Sequence, residues 1–282
     1  MGRLIISAFA DEYDSDLGEQ VAALRRFGIE YLEIRFVGGR NVSALTADEI
    51  RKIKKELDAN GVRVNSIGSP LGKVALDGDL AAHRETAKRV LEGANILGAK
   101  NVRMFSFYPP SGRRIADCRD EVIEELSGLL ELADSYGVTL CHENEAKIYG
   151  ESPESCLDVL EHFDGRMKAV FDMGNFTLEG YDPIAAYRLL KKHIGYFHIK
   201  DALAAGAIVP PGKGEARIKE IISDCVSTAE GDTFITLEPH LQTFSGLNAL
   251  TDSKFDNPYK YETPREAFAD AVEKLKELVK DL

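Results

Sequence analysis

Short apolar runs alternate with amphipathic stretches eight times along this chain. The runs cover roughly 3–9, 29–36, 62–68, 100–107, 138–145, 167–173, 194–201 and 233–239. The stretches between them repeat apolar residues at near-helical spacing, as Leu17, Val21, Leu24 and Phe27 do, and predict helices. Helix starts are signalled by Thr46 ahead of Asp48 and Glu49, and by Ser152 ahead of Pro153 and Glu154, where the first turn tolerates proline. Helix ends are signalled by Gly28, Gly61, Gly98 and Gly137, each leading into the next apolar run.

Alternating strand and helix predicts a parallel sheet with right-handed crossovers. Eight such units close more naturally into a single (β/α)₈ TIM barrel, an α/β fold, than into an open sheet. The open, doubly wound alternative would carry a glycine fingerprint after the first strand, and SAFADEYD has none. A length of 282 residues suits one such barrel, which takes about 250. With no linker rich in Pro, Gly or Ser, residues 1–282 are expected to form one domain. The segment 241–262, between the eighth run and the last helix, is longer than ordinary loops. Its Phe244, Leu247, Phe255, Tyr259 and Tyr261 argue against disorder and fit a lid or a subunit contact.

In such a barrel, reactive groups sit at the C-terminal ends of the strands. Four candidates fall there, one per run: Glu143 in TLCHENE, Asp172 in AVFDMGN, His198 in GYFHIKD and Glu238 in FITLEPH. Alone, each has a plainer explanation as a helix cap, an ion pair or a core histidine. Four on consecutive strands at the same end are not independent, and three carboxylates with one imidazole suit one divalent ion: Mn²⁺, Mg²⁺ or Zn²⁺. Strand alternation groups Glu143 with Cys141 and Thr139, turns His142 and Asn144 the other way, and groups His198 with Tyr196 and Lys200. Glu145 shares the parity of Glu143 but lies one step further out.

Further candidates surround these four. Glu33 and Arg35 share parity in the second run, so Glu33 is a candidate for contact with substrate or for support of a ligand. His240 lies on the same side as Glu238, within reach of substrate. Arg103 fits two roles, binding a hydroxyl or phosphate, or pairing with an acidic neighbour. Gly212 to Arg217 (GKGEAR) precedes a helix, and its backbone N–H groups with Lys213 and Arg217 can hold an anionic or polyhydroxy group, although such glycines also serve tight turns.

A net charge of −12 opposes nucleic acid or an anionic membrane as partner. No stretch approaches the roughly 20 apolar residues of a membrane span. The apolar run at the N-terminus is too short for a signal peptide, and four scattered cysteines suit reduced thiols, so a cytoplasmic protein is expected. The oligomeric state is left open, with a homo-oligomer compatible.

AFADE, YLEIR, SPLGK, HENE, FDMGN, YFHIKDA with the following GKGEARI, and LEPHL together resemble the xylose-isomerase-like sugar phosphate isomerase/epimerase family over nearly the whole chain. The resemblance implies one divalent metal held by Glu143, Asp172, His198 and Glu238. It implies that Glu143 and Glu238 form the acid/base pair, while Asp172 and His198 mainly hold the ion. It also makes Asn175, three residues after Asp172, and Arg217 candidates for substrate contact, and places Lys200 and Asp201 in a family motif that an ion pair explains equally well. The implied reaction is isomerisation or epimerisation of a sugar, keto-sugar or sugar derivative through an enediolate, with a carbohydrate as substrate. A lyase of the inosose dehydratase type starts with the same proton abstraction and is the alternative. An endonuclease would need a three-zinc cluster, for which six histidines are too few at strand ends, and a non-catalytic barrel would not need a complete ligand set. Since the chain has no Trp, Phe9, Phe105, Phe107 or Tyr108 must supply the apolar wall for substrate.

Overall fold

The structure, a computed structural model, describes residues 2–242 and 258–282. Most of 241–262, including Phe244, Leu247 and Phe255, lies outside the described residues. Eight strands form the sheet: β1 (Leu4–Ala8), β2 (Tyr31–Ile34), β3 (Arg63–Gly68), β4 (Asn101–Met104), β5 (Thr139–Glu143), β6 (Met167–Asp172), β7 (Ile194–Ile199) and β8 (Thr233–Leu237). They pair in parallel in chain order, and β8 returns to β1 to close the barrel. Each of the eight apolar runs supplies one strand.

Helices α1 (Leu17–Arg26), α2 (Ala47–Ala59), α3 (Leu80–Leu97), α4 (Arg119–Tyr136), α5 (Pro153–His162), α6 (Met173–Leu178), α7 (Pro183–Leu190), α8 (Ile218–Thr228) and α9 (Pro264–Val279) follow the strands. The start signals act as their chemistry dictates. Thr46 and Glu49 make a reciprocal capping box, and Ser152 caps α5 with Pro153 in the first turn. Gly98 and Gly137 end α3 and α4 at φ 76° and 65°, a conformation that favours glycine.

Most of the buried apolar residues pack between the strands and the helices. A smaller cluster, Cys141, Val170 and Tyr196 with Phe234 against it, fills the barrel interior. An interior of this kind is usually packed with branched aliphatic side chains. Here polar groups share it. Between β2 and β3 the register slips by one residue, so that Leu32 faces Val64 and Glu33 faces Ser66. Such a bulge lets consecutive side chains reach the same side: Ser7 Oγ donates to Asn65 Oδ1 at 2.6 Å, and Ser66 Oγ lies 2.9 Å from the Tyr196 hydroxyl. Above this layer the interior becomes densely charged.

Candidate metal centre and active site

The strand register staggers the C-terminal ends of the last four strands, with Glu143 of β5 beside Val170 of β6 and His198 of β7 beside Thr236 of β8. Asp172 of β6 pairs with His198 of β7, and Glu238 follows directly on β8. One donor atom from each of Glu143, Asp172, His198 and Glu238 lies within 4.8 Å of all the others. Bonds of about 2.0–2.2 Å to one ion bring donors to comparable separations. His198 is at the centre. Its Nδ1 lies 2.8 Å from Glu143 Oε1 and 3.4 Å from Glu238 Oε2, while its Nε2 lies 3.1 Å from Glu33 Oε2. Behind it, the Tyr196 hydroxyl donates to Glu33 Oε1 at 2.8 Å. Glu33 thus stands behind the imidazole on the side away from the cluster, an arrangement that fixes the tautomer of a ligating histidine.

The donor set fits a divalent cation. Glu143 Oε2 and Glu238 Oε2 are buried and accept no hydrogen bond among the described residues. Their neighbours Arg103 (Nη1 at 3.2 Å from Glu143) and Lys200 (Nζ at 3.1 Å from Glu238) meet them as ion pairs outside hydrogen-bond geometry. Buried carboxylate oxygens left in this way are costly unless a further partner takes them up. Charge points the same way. Six buried carboxylates, Asp11, Glu12, Glu33, Glu143, Asp172 and Glu238, face three permanent cations, Arg35, Arg103 and Lys200.

These neighbours set the titration of the site. Burial opposes a charge on His198, but Glu143 and Glu33 outweigh it and hold the imidazole well above its ordinary range. Burial likewise opposes ionisation of Glu143, yet His198 and Arg103 hold it below the usual carboxylate range. For Glu238, burial is outweighed by Lys200 and His240, with the same result. Asp172 goes the other way: burial raises it despite Lys200. Glu12 rises to about 8, because burial outweighs Arg35.

Glu33 and His240, proposed from parity, join the cluster. His240 is buried in a left-handed conformation at φ 45°, its N–H donates to Glu12 Oε2 at 2.7 Å, and its Nε2 lies 3.6 Å from Glu238 Oε1. Asn175 sits beside Asp172 and Lys200. Its N–H caps onto Asp172 Oδ1 at 2.8 Å, its Nδ2 donates to Asn144 O, and its Oδ1 accepts from Lys200 Nζ at 3.0 Å. Arg217 is not brought in; it is exposed at the start of α8 and pairs with Glu220. The glycine loop is occupied from within, since Asp201 accepts the N–H groups of Gly212, Gly214 and Ala216 at 2.8, 2.9 and 3.1 Å. Lys200 pairs not with its neighbour Asp201 but with Asp172 at 2.9 Å and with Glu238.

Sequence reasoning did not assign Asp11 and Glu12, or the role of Arg35. The Arg35 guanidinium bridges all three carboxylates: Nε to Asp11 at 2.9 Å, Nη1 to Glu238 at 2.7 Å and Nη2 to Glu12 at 3.1 Å. The signal was present as an inward arginine in β2 and an acidic pair ending AFADE. Of the aromatic candidates, Phe9 lines the site. Its ring stands edge-on to His198 at 5.1 Å and lies under Arg35 at 4.1 Å. A Cβ on Gly68 would come within 2.5 Å of that ring, so glycine is required there. Phe105 flanks Arg103, whereas Phe107 packs against His83.

The model of the xylose isomerase-like TIM barrel family matches residues 21–280. The chain belongs to that family. Solved structures share its fold at low identity. The probable 3-DHS dehydratase AsbF of Bacillus anthracis, involved in petrobactin synthesis, is 17% identical at TM-score 0.74, over 97% of this chain and 99% of that one. The IOLI protein with a bound zinc atom is 16% identical at TM-score 0.74, over 98% of each chain. The D-allulose 3-epimerase from Methylomonas sp. is 15% identical at TM-score 0.75, over 99% of each chain. No curated protein matches in sequence. Among the described residues, no helix is long and apolar enough to cross a membrane.

Proposed function

We propose that this protein is a cytoplasmic, divalent-metal-dependent isomerase or epimerase that acts on a small carbohydrate or sugar derivative by moving a proton beside a carbonyl. The observation that carries the reading is the meeting of Glu143, Asp172, His198 and Glu238 within 4.8 Å, with buried carboxylate oxygens that accept no hydrogen bond among the described residues. A divalent ion bound there would act as a Lewis acid toward a carbonyl and its neighbouring hydroxyl. Glu143, Asp172, His198 and Glu238 would hold it. Glu143 and Glu238, which approach His198 Nδ1 from different strands, are the proposed pair that removes and returns the proton. Arg35 orients Glu238 by its 2.7 Å contact, and Lys200 supplies positive charge beside Asp172 and Glu238.

Likeness to a zinc-bound structure and to an epimerase of the same fold supports the reading. Likeness to a probable dehydratase keeps dehydration as a second outcome of the same proton abstraction. The test is elemental analysis after reconstitution, then a panel of ketoses and keto-acids in D₂O. Deuterium gained beside the carbonyl at constant skeleton marks isomerase or epimerase chemistry, and loss of water marks a dehydratase. A protein that takes up no divalent ion sinks both.

A further inference from the structure

Among the described residues, Arg103 leaves most of its guanidinium donors without an acceptor. It is 3% exposed, yet its Nε–H finds no acceptor among the described residues. Its Nη2 makes one long hydrogen bond, 3.4 Å to Ser69 O, and its Nη1 meets Glu143 Oε2 at 3.2 Å and Glu238 Oε1 at 3.8 Å as ion pairs only. Arg35, by contrast, spends Nε, Nη1 and Nη2 on three carboxylates. Phe9 and Phe105 flank the Arg103 guanidinium at 5.3 and 5.0 Å. These rings offer no oxygen acceptor. A guanidinium is a planar fork of five N–H donors that matches a carboxylate or phosphate in two parallel bonds, and burying it with donors unmet is costly. Glu143 gives Arg103 less compensation once its own charge is shared with a cation.

We propose that Arg103 receives an anionic group of the substrate, so that the substrate is a hydroxyketone bearing a carboxylate or phosphate rather than a neutral ketose. The position supports this, because the guanidinium lies within ion-pair distance of both proposed acid/base glutamates. This inference rests on the metal-dependent reading of the same site.

The test uses three probes that share one hydroxyketone: dihydroxyacetone, hydroxypyruvate and dihydroxyacetone phosphate. Their affinities for the Mn²⁺-loaded protein are measured by calorimetry. At least one anionic probe should bind about tenfold or more tightly than dihydroxyacetone, and the tighter of the two identifies carboxylate or phosphate. Arg103→Gln should keep Mn²⁺ binding and lose the preference. Should that variant not fold, Arg103→Lys keeps the charge without the fork and should cut the preference severalfold. Equal binding of all three probes by wild type, or a preference that survives in the folded variant, overturns the proposal. Failure of wild type to bind Mn²⁺ overturns the parent reading, and this one with it. Loaded wild type without a preference overturns this one alone.

Discussion

Glu33 faces the Nε2 edge of His198 at 3.1 Å, while the opposite edge of the same ring faces the carboxylate cluster. A carboxylate in that position orients a ligating imidazole and raises its basicity, and losing it typically costs about 10–100-fold in metal affinity. Glu33→Gln should therefore weaken Mn²⁺ binding by about that factor while the barrel stays folded. Titration of the apo-protein with Mn²⁺, alongside thermal melts, checks both halves. Unchanged affinity would leave Glu33 as a mere partner of Tyr196.

Metal uptake should depend on pH through the same ring. Glu143 and Glu33 overcome burial and hold the His198 imidazole above its ordinary range, so it carries a proton near neutrality. Ligation needs that nitrogen free, so binding should release a proton, and apparent affinity should rise with pH, about tenfold for each proton released per pH unit. Calorimetry in buffers of different ionisation enthalpy counts the protons. Affinity that is flat across the neutral range would contradict the assignment.

The four proposed ligands are legible in the sequence because each lies at the end of its own apolar run, and closure of the barrel does the rest. What is hidden is pairing across the barrel. Arg35 and Glu238 are 203 residues apart, and nothing local in YLEIR announces that its arginine holds the last glutamate. The GKGEAR segment shows the converse. Its N–H groups do converge on an anion, but that anion is Asp201, eleven residues before Gly212, so the nest is filled by the chain itself. Asn175 falls between these cases. Its distance from Asp172 follows from the N-cap of α6, and its side chain joins Asn144 to Lys200.

His142 faces away from the site and gives stability its own pH dependence. It is buried against Ser106 Oγ at 2.9 Å, and burial lowers it from the ordinary 6.5 to about 4. The unfolded chain therefore takes up a proton that the folded one refuses between those two values. The stabilisation is whole above pH 6.5 and is lost as pH falls toward 4, on the order of 3 kcal/mol in all. His142→Gln has no such titration. Urea unfolding of both proteins should show a gap that shifts in favour of the variant on acidification, and a constant gap would refute the assignment.

Arg35 offers the most severe test of the charge arrangement. It is 1% exposed and touches Asp11, Glu12 and Glu238 at once. Arg35→Met keeps an apolar body beside Phe9 but leaves three buried carboxylates short of a cation. Breaking a buried pair in this way costs about 3–5 kcal/mol. The sign with pH follows. Glu238 keeps Lys200, but Asp11 and Glu12, which burial already raises, lose their cation, so their contribution to stability is whole below the ordinary carboxylate range and lost as pH rises through the folded values. Glu12, already at about 8 beside the arginine, should rise further without it. The deficit of the variant should therefore be large above neutrality and shrink on acidification, as denaturant unfolding at about pH 5 and about pH 8.5 will measure. A deficit of the same size at both values would mean that Arg35 contributes packing rather than charge.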